Sequence, residues 1–277
     1  MTPEAAGAVL DSVAVAGDAP LAIAEAALAL AVLDRAGAGG ASVDLTPCRA
    51  ALAAVEAAVA DAEARGIEPQ SALAAGIGGR LGYRGDDETY DDLANADLIQ
   101  VIERRRGLPV ALGILYIHAA RAQGHQAAGL NVPGHFLIGI ETAGHRYALD
   151  PFNGGEPLDP NAVLVLLQRV SPGAENSRAA MTAVSDRAVL LRLQNNIKLR
   201  RLQSGDTVGG LAVLARMRRM APDSPELVSE EAGVLVATGA MRAAIATLRG
   251  WLDAGHGGTV ARKALQAQLA GIGSRLN

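Results

Sequence analysis

The residue types that acyl-transfer chemistry uses fall in two short stretches of this 277-residue chain. Asn131-Val132-Pro133-Gly134-His135-Phe136-Leu137 is followed by Tyr147-Ala148-Leu149-Asp150-Pro151-Phe152-Asn153-Gly154-Gly155. Strand-like runs on either side of Thr142-Ala143-Gly144 predict a hairpin. Centring it on Ala143 sets His135 opposite Pro151 and one register step from Asp150. An imidazole and a carboxylate so placed can act as a unit. The carboxylate orients the ring and stabilises its charged form, leaving the second ring nitrogen for a nucleophile or a substrate. The same pair can equally be a structural tie between two strands.

A thiol would complete such a site, and the chain has one cysteine, Cys48. It stands near a predicted helix N-terminus after Thr46-Pro47, and the order Cys48, His135, Asp150 is the order papain-like enzymes use. It also lies in an alanine-rich helical region, where a free cysteine commonly behaves as a small buried hydrophobe. A lone thiol excludes an internal disulfide and a multi-thiolate zinc site.

Other charged runs have two readings each. Arg104-Arg105-Arg106, after Glu103, could clamp a carboxylate or phosphate through guanidinium forks; alternatively one arginine pairs with a nearby acid and the others are solvated. Asp86-Asp87-Glu88-Thr89-Tyr90-Asp91-Asp92 has oxygen ligands but not the order of a calcium loop, and is read as a solvated acidic loop. His118 and His125 share a helical spacing, but Gly124 should end the helix between them. Gly205 and Gly209-Gly210 follow no strand and precede no Lys-Ser or Lys-Thr, so no phosphate loop is expected. Neither a metal nor a cofactor is expected.

The elements that must position these residues can be read from pattern. Pro3 to Arg35 predicts two helices broken at Gly17-Asp18-Ala19-Pro20, and a third follows Thr46-Pro47 to Arg65-Gly66. Gly76 to Asp92 reads as loop. A helix capped by Asn95 runs to Arg105, and another starts at Pro109 and ends near Gly124. Ala128–Val132, Phe136–Glu141 and His145–Leu149 then predict a small antiparallel sheet. From about Ser185 the pattern is helical again, with Gly205 and Gly239, Leu214 and Leu248, and Met217 and Trp251 each 34 apart, the tetratricopeptide period.

Half the residues are apolar, only 3% aromatic and 19% charged, which excludes disorder and fits a helix-rich soluble protein. The net charge of −4 gives no field to attract a polyanion, so generic nucleic-acid binding is not expected. Glu4, Asp11, Asp18 and Glu25 interrupt the apolar N-terminal stretch, which therefore fits neither a signal peptide nor a membrane span. A cytoplasmic protein is expected. Its oligomeric state is not written in the sequence.

The sequence resembles the bacterial SirB-type proteins, which join a transglutaminase-like core to tetratricopeptide-like helices. The resemblance is carried by Leu98, Val101, Glu103, Arg104, Arg105 and Gly107-Leu108-Pro109, by Pro133-Gly134-His135-Phe136, and by Leu149-Asp150-Pro151-Phe152-Asn153-Gly154-Gly155. It implies an α+β fold: a mostly helical, papain/transglutaminase-like core with a small antiparallel sheet over residues 1–184, then a tetratricopeptide-like helical region over 185–277. It implies a nucleophile slot near Pro109, where Leu108, Pro109, Val110 and Ala111 supply no thiol or hydroxyl. His135 and Asp150 would be retained members of an incomplete triad. Glu103, Arg105, Arg106, Gly107, Pro109, Gly134, Phe136, Phe152, Asn153 and Gly154 would frame a binding surface for a protein or peptide partner. The expected function is a non-catalytic binding or regulatory module. The alternative is an amidohydrolase or acyltransferase working through Cys48 or through a water activated by His135.

Overall fold

The structure, a computed structural model, describes residues 1–36, 40–132, 135–159, 163, 165 and 182–274. Gly134, expected in the binding set, lies outside the described residues. The chain divides into two compact units, Met1–Leu193 and Gln194–Asn277.

In the first unit α1 (Pro3–Ala16) and α2 (Ile23–Ala36) pack as a pair, followed by α3 (Thr46–Ala64) and the short α4 (Pro69–Leu73), which runs into a π-helical turn at Ala74–Arg80. The predicted loop from Gly76 therefore begins inside a helical turn. Next come β1 (Arg84–Gly85), α5 (Leu98–Arg104), β2 (Arg106–Gly107) and α6 (Pro109–Ala122). The cap of α5 is Asp97, whose carboxylate accepts from the backbone N–H groups of Ile99 and Gln100, and Asn95 is fully buried instead. The strands β3 (Gln126–Val132), β4 (His135–Thr142), β5 (His145–Asp150), β6 (Glu156–Leu158) and β7 (Ala183–Val184) form one antiparallel sheet in the order β6-β5-β4-β3-β7. The fold is α+β and mostly helical, with a small antiparallel sheet.

The centre of this unit is α6, which has Val110 to Ile117, Ala119 and Ala120 all buried. A helix that is apolar all round must be covered all round. Here α2, α3 and α5 pack against it, as do β3 and β4. Gly113 lets the sheet approach closely, since a Cβ there would collide with the Phe136 ring and press on Ile138. At the far end of α6, Arg121 makes a two-pronged ion pair with the buried Asp186 at 2.6 and 2.9 Å and donates to the Ala127 carbonyl. Asp186 also accepts from the Leu21 N–H, so one carboxylate ties the α1–α2 connection to the helix end.

The hairpin register differs by one from the sequence expectation. Thr142 pairs with His145, so the turn is the two residues Ala143 and Gly144, at φ +49° and +76°. Two successive positive φ values make the tight turn whose twist matches that of the strands. Continuing the pairing past Ile138↔Leu149 places Asp150 beside Leu137 and Phe152, not Pro151, beside His135. The slip matters because side chains alternate faces: the expected register would have put His135 and Asp150 on opposite faces, and the observed one puts them diagonally on the same face.

The second unit holds the greater part of α7 (Asp186–Gln203), which crosses the division, then α8 (Thr207–Met220), α9 (Pro225–Ala237), α10 (Met241–Asp253) and α11 (Thr259–Gly273). Thr207 and Met241 begin helices 34 positions apart, and so do Pro225 and Thr259. The connecting Gly205 and Gly239 both have left-handed backbone, at φ +82° and +79°. Val228, Ala232, Ala244, Leu248, Trp251 and Leu265 form the core of the last three helices. No helix of the described residues is long and apolar enough to cross a membrane.

Candidate functional site

His135 opens β4 and Asp150 closes β5, and His135 Nε2 lies 3.3 Å from Asp150 Oδ2. The histidine side chain keeps 24% exposure, while the carboxylate keeps 8%. Asp150 is held by the turn it starts: Oδ1 accepts from the Phe152 N–H at 3.0 Å and the Asn153 N–H at 3.4 Å, and Oδ2 accepts from Asn153 Nδ2 at 2.7 Å. Burial pushes this carboxyl's pKa up, but hydrogen bonds from His135 and Asn153, the imidazole's charge and the Phe152 N–H outweigh it, and the net shift is downward. Asp150 is thus an ionised acceptor that orients the ring and leaves Nδ1 for a second partner.

The turn is locked by close backbone approaches. Gly154 has φ +75° and packs on Gly78, where any Cβ would strike the Gly154 backbone. Gly155 has φ +80°, donates its N–H to the Asp150 carbonyl at 2.7 Å and lies against the Tyr116 ring. The Tyr116 hydroxyl is buried with no hydrogen-bond partner among the described residues, and burial and the Asp150 charge push its pKa up. Phe152 stacks on Gly85, meets Tyr90 edge-on at 5.9 Å and gives its carbonyl to the Gly85 N–H at 2.8 Å. Phe136 is buried against α6, with the Arg192 guanidinium 5.3 Å from its ring centre. Arg192 Nη2 also donates to the His135 carbonyl at 2.6 Å, which fixes the strand where the histidine begins it.

The arginine run separates residue by residue. Arg104 pairs with Asp86 at 2.9 Å and donates to Asn95 Oδ1 at 3.1 Å. Asp86 also accepts from the Thr89 N–H and hydroxyl, and these two bonds lead in holding its carboxyl down at about 2. This corrects the reading of the acidic run as wholly solvated: Asp86 is buried, and the turn it makes with Thr89 and Arg104 explains why, while Asp87, Glu88, Asp91 and Asp92 are exposed. Arg106 and Gly107 form β2, paired in parallel with Arg84 and Gly85 of β1, and so adjoin Phe152. Arg105 is exposed at the C-terminal cap of α5. Glu103 is also exposed on α5, and its field acts on Cys48.

Pro109 takes the first turn of α6 with Leu108 as cap, and Leu108, Val110 and Ala111 are buried. The first turn of α6 and its cap therefore carry no thiol or hydroxyl among Leu108, Pro109, Val110 and Ala111. Cys48 is buried on α3; burial first, then the negative field of Glu103 raises the thiol pKa, partly opposed by Arg35. A resting catalytic thiolate needs the opposite shift. Among the described residues no group of three or more His, Cys, Asp or Glu side chains could hold a metal ion. His118 and His125 each meet a separate glutamate, Glu56 and Glu63.

The structure thus brings His135, Asp150, Phe152, Asn153 and Gly154 together, with Arg106 and Gly107 alongside through Gly85. Sequence reasoning missed Arg192, Tyr116, Asp86 and Asn95. Tyr116 and Arg192 meet the site only through tertiary packing, whereas Asp86 with Thr89 three residues on is a local turn signal that the sequence carries.

A family model of the transglutaminase-like superfamily matches residues 47–195, a span that contains α6, His135 and Asp150. The chain is 32% identical over 158 residues to a UPF0162 protein of Xylella fastidiosa (strain 9a5c), covering 54% of this chain and 55% of that one. It is 28% identical over 141 residues to a UPF0162 protein of Pseudomonas aeruginosa, covering 51% and 52%. A stretch of 59 residues is 34% identical to F-box only protein 21 of Mus musculus, covering 21% of this chain and 9% of that protein. The chain spans 55% and 63% of the two Xylella fastidiosa relatives it matches. No solved structure matches it. With more than half its length matched by the family model, the chain belongs to the transglutaminase-like superfamily.

Proposed function

We propose that this chain is a transglutaminase-like domain of the SirB type that binds a peptide or protein partner in the cytoplasm without covalent chemistry, its C-terminal helices acting as a tetratricopeptide-like region. The observation that carries the reading is the start of α6, where Leu108, Pro109, Val110 and Ala111 stand in place of a nucleophile while His135 and Asp150 remain paired. Thioester formation requires a thiolate at hydrogen-bond reach of the imidazole. Cys48, buried with its pKa raised, is poorly suited to that role. The 34-residue spacing of helix starts favours the repeat-like assignment of the last helices.

The test is turnover. Purified protein incubated with a glutamine-containing peptide plus a primary amine, and separately with an activated ester, is expected to release neither ammonia nor alcohol above the uncatalysed rate. Release that disappears in His135→Ala would overturn the reading and establish the hydrolase or acyltransferase in its place.

A further inference from the structure

We propose that Arg84, Arg105 and Arg106 form a clamp for an acidic peptide segment of a partner protein. The proposal deepens the non-covalent binding reading by giving the partner a chemistry.

Two local costs converge on these residues. Arg84 and Arg106 are direct partners across the parallel β1·β2 ladder, which points their side chains to the same face. Like charges placed opposite each other destabilise a strand pair. Between them in the network stands Arg105, a non-glycine residue at φ +54°, ψ +31°, in the left-handed region where a helix terminus ordinarily takes glycine. Strained backbone persists where the surroundings enforce it, and it gathers at ligand clamps.

Backbone hydrogen bonds, not acids, hold the cluster. The Arg84 N–H donates to the Arg105 carbonyl at 3.2 Å, and Arg106 Nη1 donates to the same carbonyl at 3.0 Å and to the Gly82 carbonyl at 3.2 Å. None of the three makes an ion pair among the described residues, whereas Arg35, Arg49, Arg80, Arg104 and Arg121 each have a carboxylate. Arg84 and Arg105 are exposed. A ligand bearing carboxylates would relieve the mutual repulsion and engage guanidinium forks, whose planar donors match it.

The surroundings select among anions. The ladder is bonded to the Asp150 turn through the Gly85 N–H and the Phe152 carbonyl, and the Phe152 ring packs on Gly85 on the ladder face opposite the Arg84 and Arg106 side chains, so the turn supports the patch from behind. The exposed Asp87, Glu88, Asp91 and Asp92 follow β1, and the chain is net negative, so a long polyanion such as nucleic acid would meet repulsion once it extended past the short basic site towards them.

The experiment is a fluorescence-anisotropy titration of the full chain into a labelled peptide of alternating glutamate and alanine at low ionic strength. Saturable binding is expected, weakened about tenfold or more by Arg84→Gln combined with Arg105→Gly, and not shared by the matched glutamine–alanine peptide. Arg105→Gly alone should weaken binding while leaving the thermal midpoint unchanged or raised, because glycine relieves the left-handed backbone. Absence of saturable binding, or binding that the arginine variants leave intact, overturns the proposal. Tighter arginine-dependent binding of a single-stranded oligonucleotide overturns it too, and assigns the patch to nucleic acid. Failure of the non-catalytic reading would show elsewhere, as His135-dependent turnover, and would not alter this titration.

Discussion

At the scale of single residues, Asp150 does more than face a histidine. Its carboxylate terminates a strand, accepts from two backbone N–H groups and an asparagine amide, and so defines the turn through Gly155. Asp150→Ala should therefore cost about 2–4 kcal/mol, since the donors around it lose a buried, charged acceptor, and urea unfolding measures it. A loss under about 1 kcal/mol would mean that the turn stands without the carboxylate. Cys48 gives a second prediction. Burial and nearby acids raise its thiol pKa, so alkylation by iodoacetamide near neutral pH should be slow, and insensitive to His135→Ala. Fast labelling under mildly acidic conditions that His135→Ala slows would instead support a Cys48-dependent enzyme. His135 and Asp150 were legible as chemistry from their places on either side of the predicted hairpin, and Asn153 entered only through the family resemblance. Arg192 and Tyr116 were not, because nothing local distinguishes an arginine that braces a strand from one in solvent, or a buried tyrosine beside a carboxylate from an ordinary core residue.

At the scale of elements, α6 and the β4–β5 hairpin matter most to the site. The pattern of α6 gave its start at Pro109 and its end before Gly124, because proline in the first turn and glycine after the last are strong start and stop signals, respectively. The hairpin was placed correctly along the chain but one residue out of register. Thr142-Ala143-Gly144 admits a two-residue or a three-residue turn, and the choice depends on whether Ala143 accepts a positive φ. It does, at +49°, which costs an alanine more than a glycine. Ala143→Gly should accordingly stabilise the protein by roughly 0.5–1 kcal/mol without moving the hairpin register, since Gly144 already has the geometry of such a turn. Chemical denaturation would check the sign, and destabilisation would count against the two-residue turn. β1 and β2 escaped notice for a different reason. Two-residue parallel strands have no period to detect and exist only because α5 and the Asp150 turn bring distant backbone together.

For the whole molecule, several carboxylates have pKa values below their usual range in the folded state. Asp86 is held at about 2 by Thr89, with Asn95 and Arg104 adding to the effect. Asp150, Asp44, Asp61 and Asp206 shift in the same direction. Each binds a proton more readily when unfolded, so its contribution to stability is present above the ordinary aspartate pKa and is lost as pH falls through the folded value. Unfolding free energy should thus fall steeply from about pH 4 towards about pH 2, and Asp86→Asn should lower stability at neutral pH while flattening that fall. Denaturation midpoints over this range measure both. An unchanged slope in Asp86→Asn would show that the Thr89–Arg104 network does not carry the acid sensitivity.

The sequence alone determined the helix-rich character, the mid-chain antiparallel sheet, the helical C-terminal stretch with its 34-residue spacing, and the lack of a thiol or hydroxyl from Leu108 to Ala111. All of these depend on local pattern or residue type, which the chain carries at every position. Tertiary structure alone decided that His135 and Asp150 share a face, that Arg104 serves Asp86, and that Arg84 and Arg106 become ladder partners. Those outcomes turn on a one-residue register choice and on contacts between segments well separated in sequence, as with Arg104 and Asp86, 18 positions apart, which are settled by packing and charge once the backbone has closed.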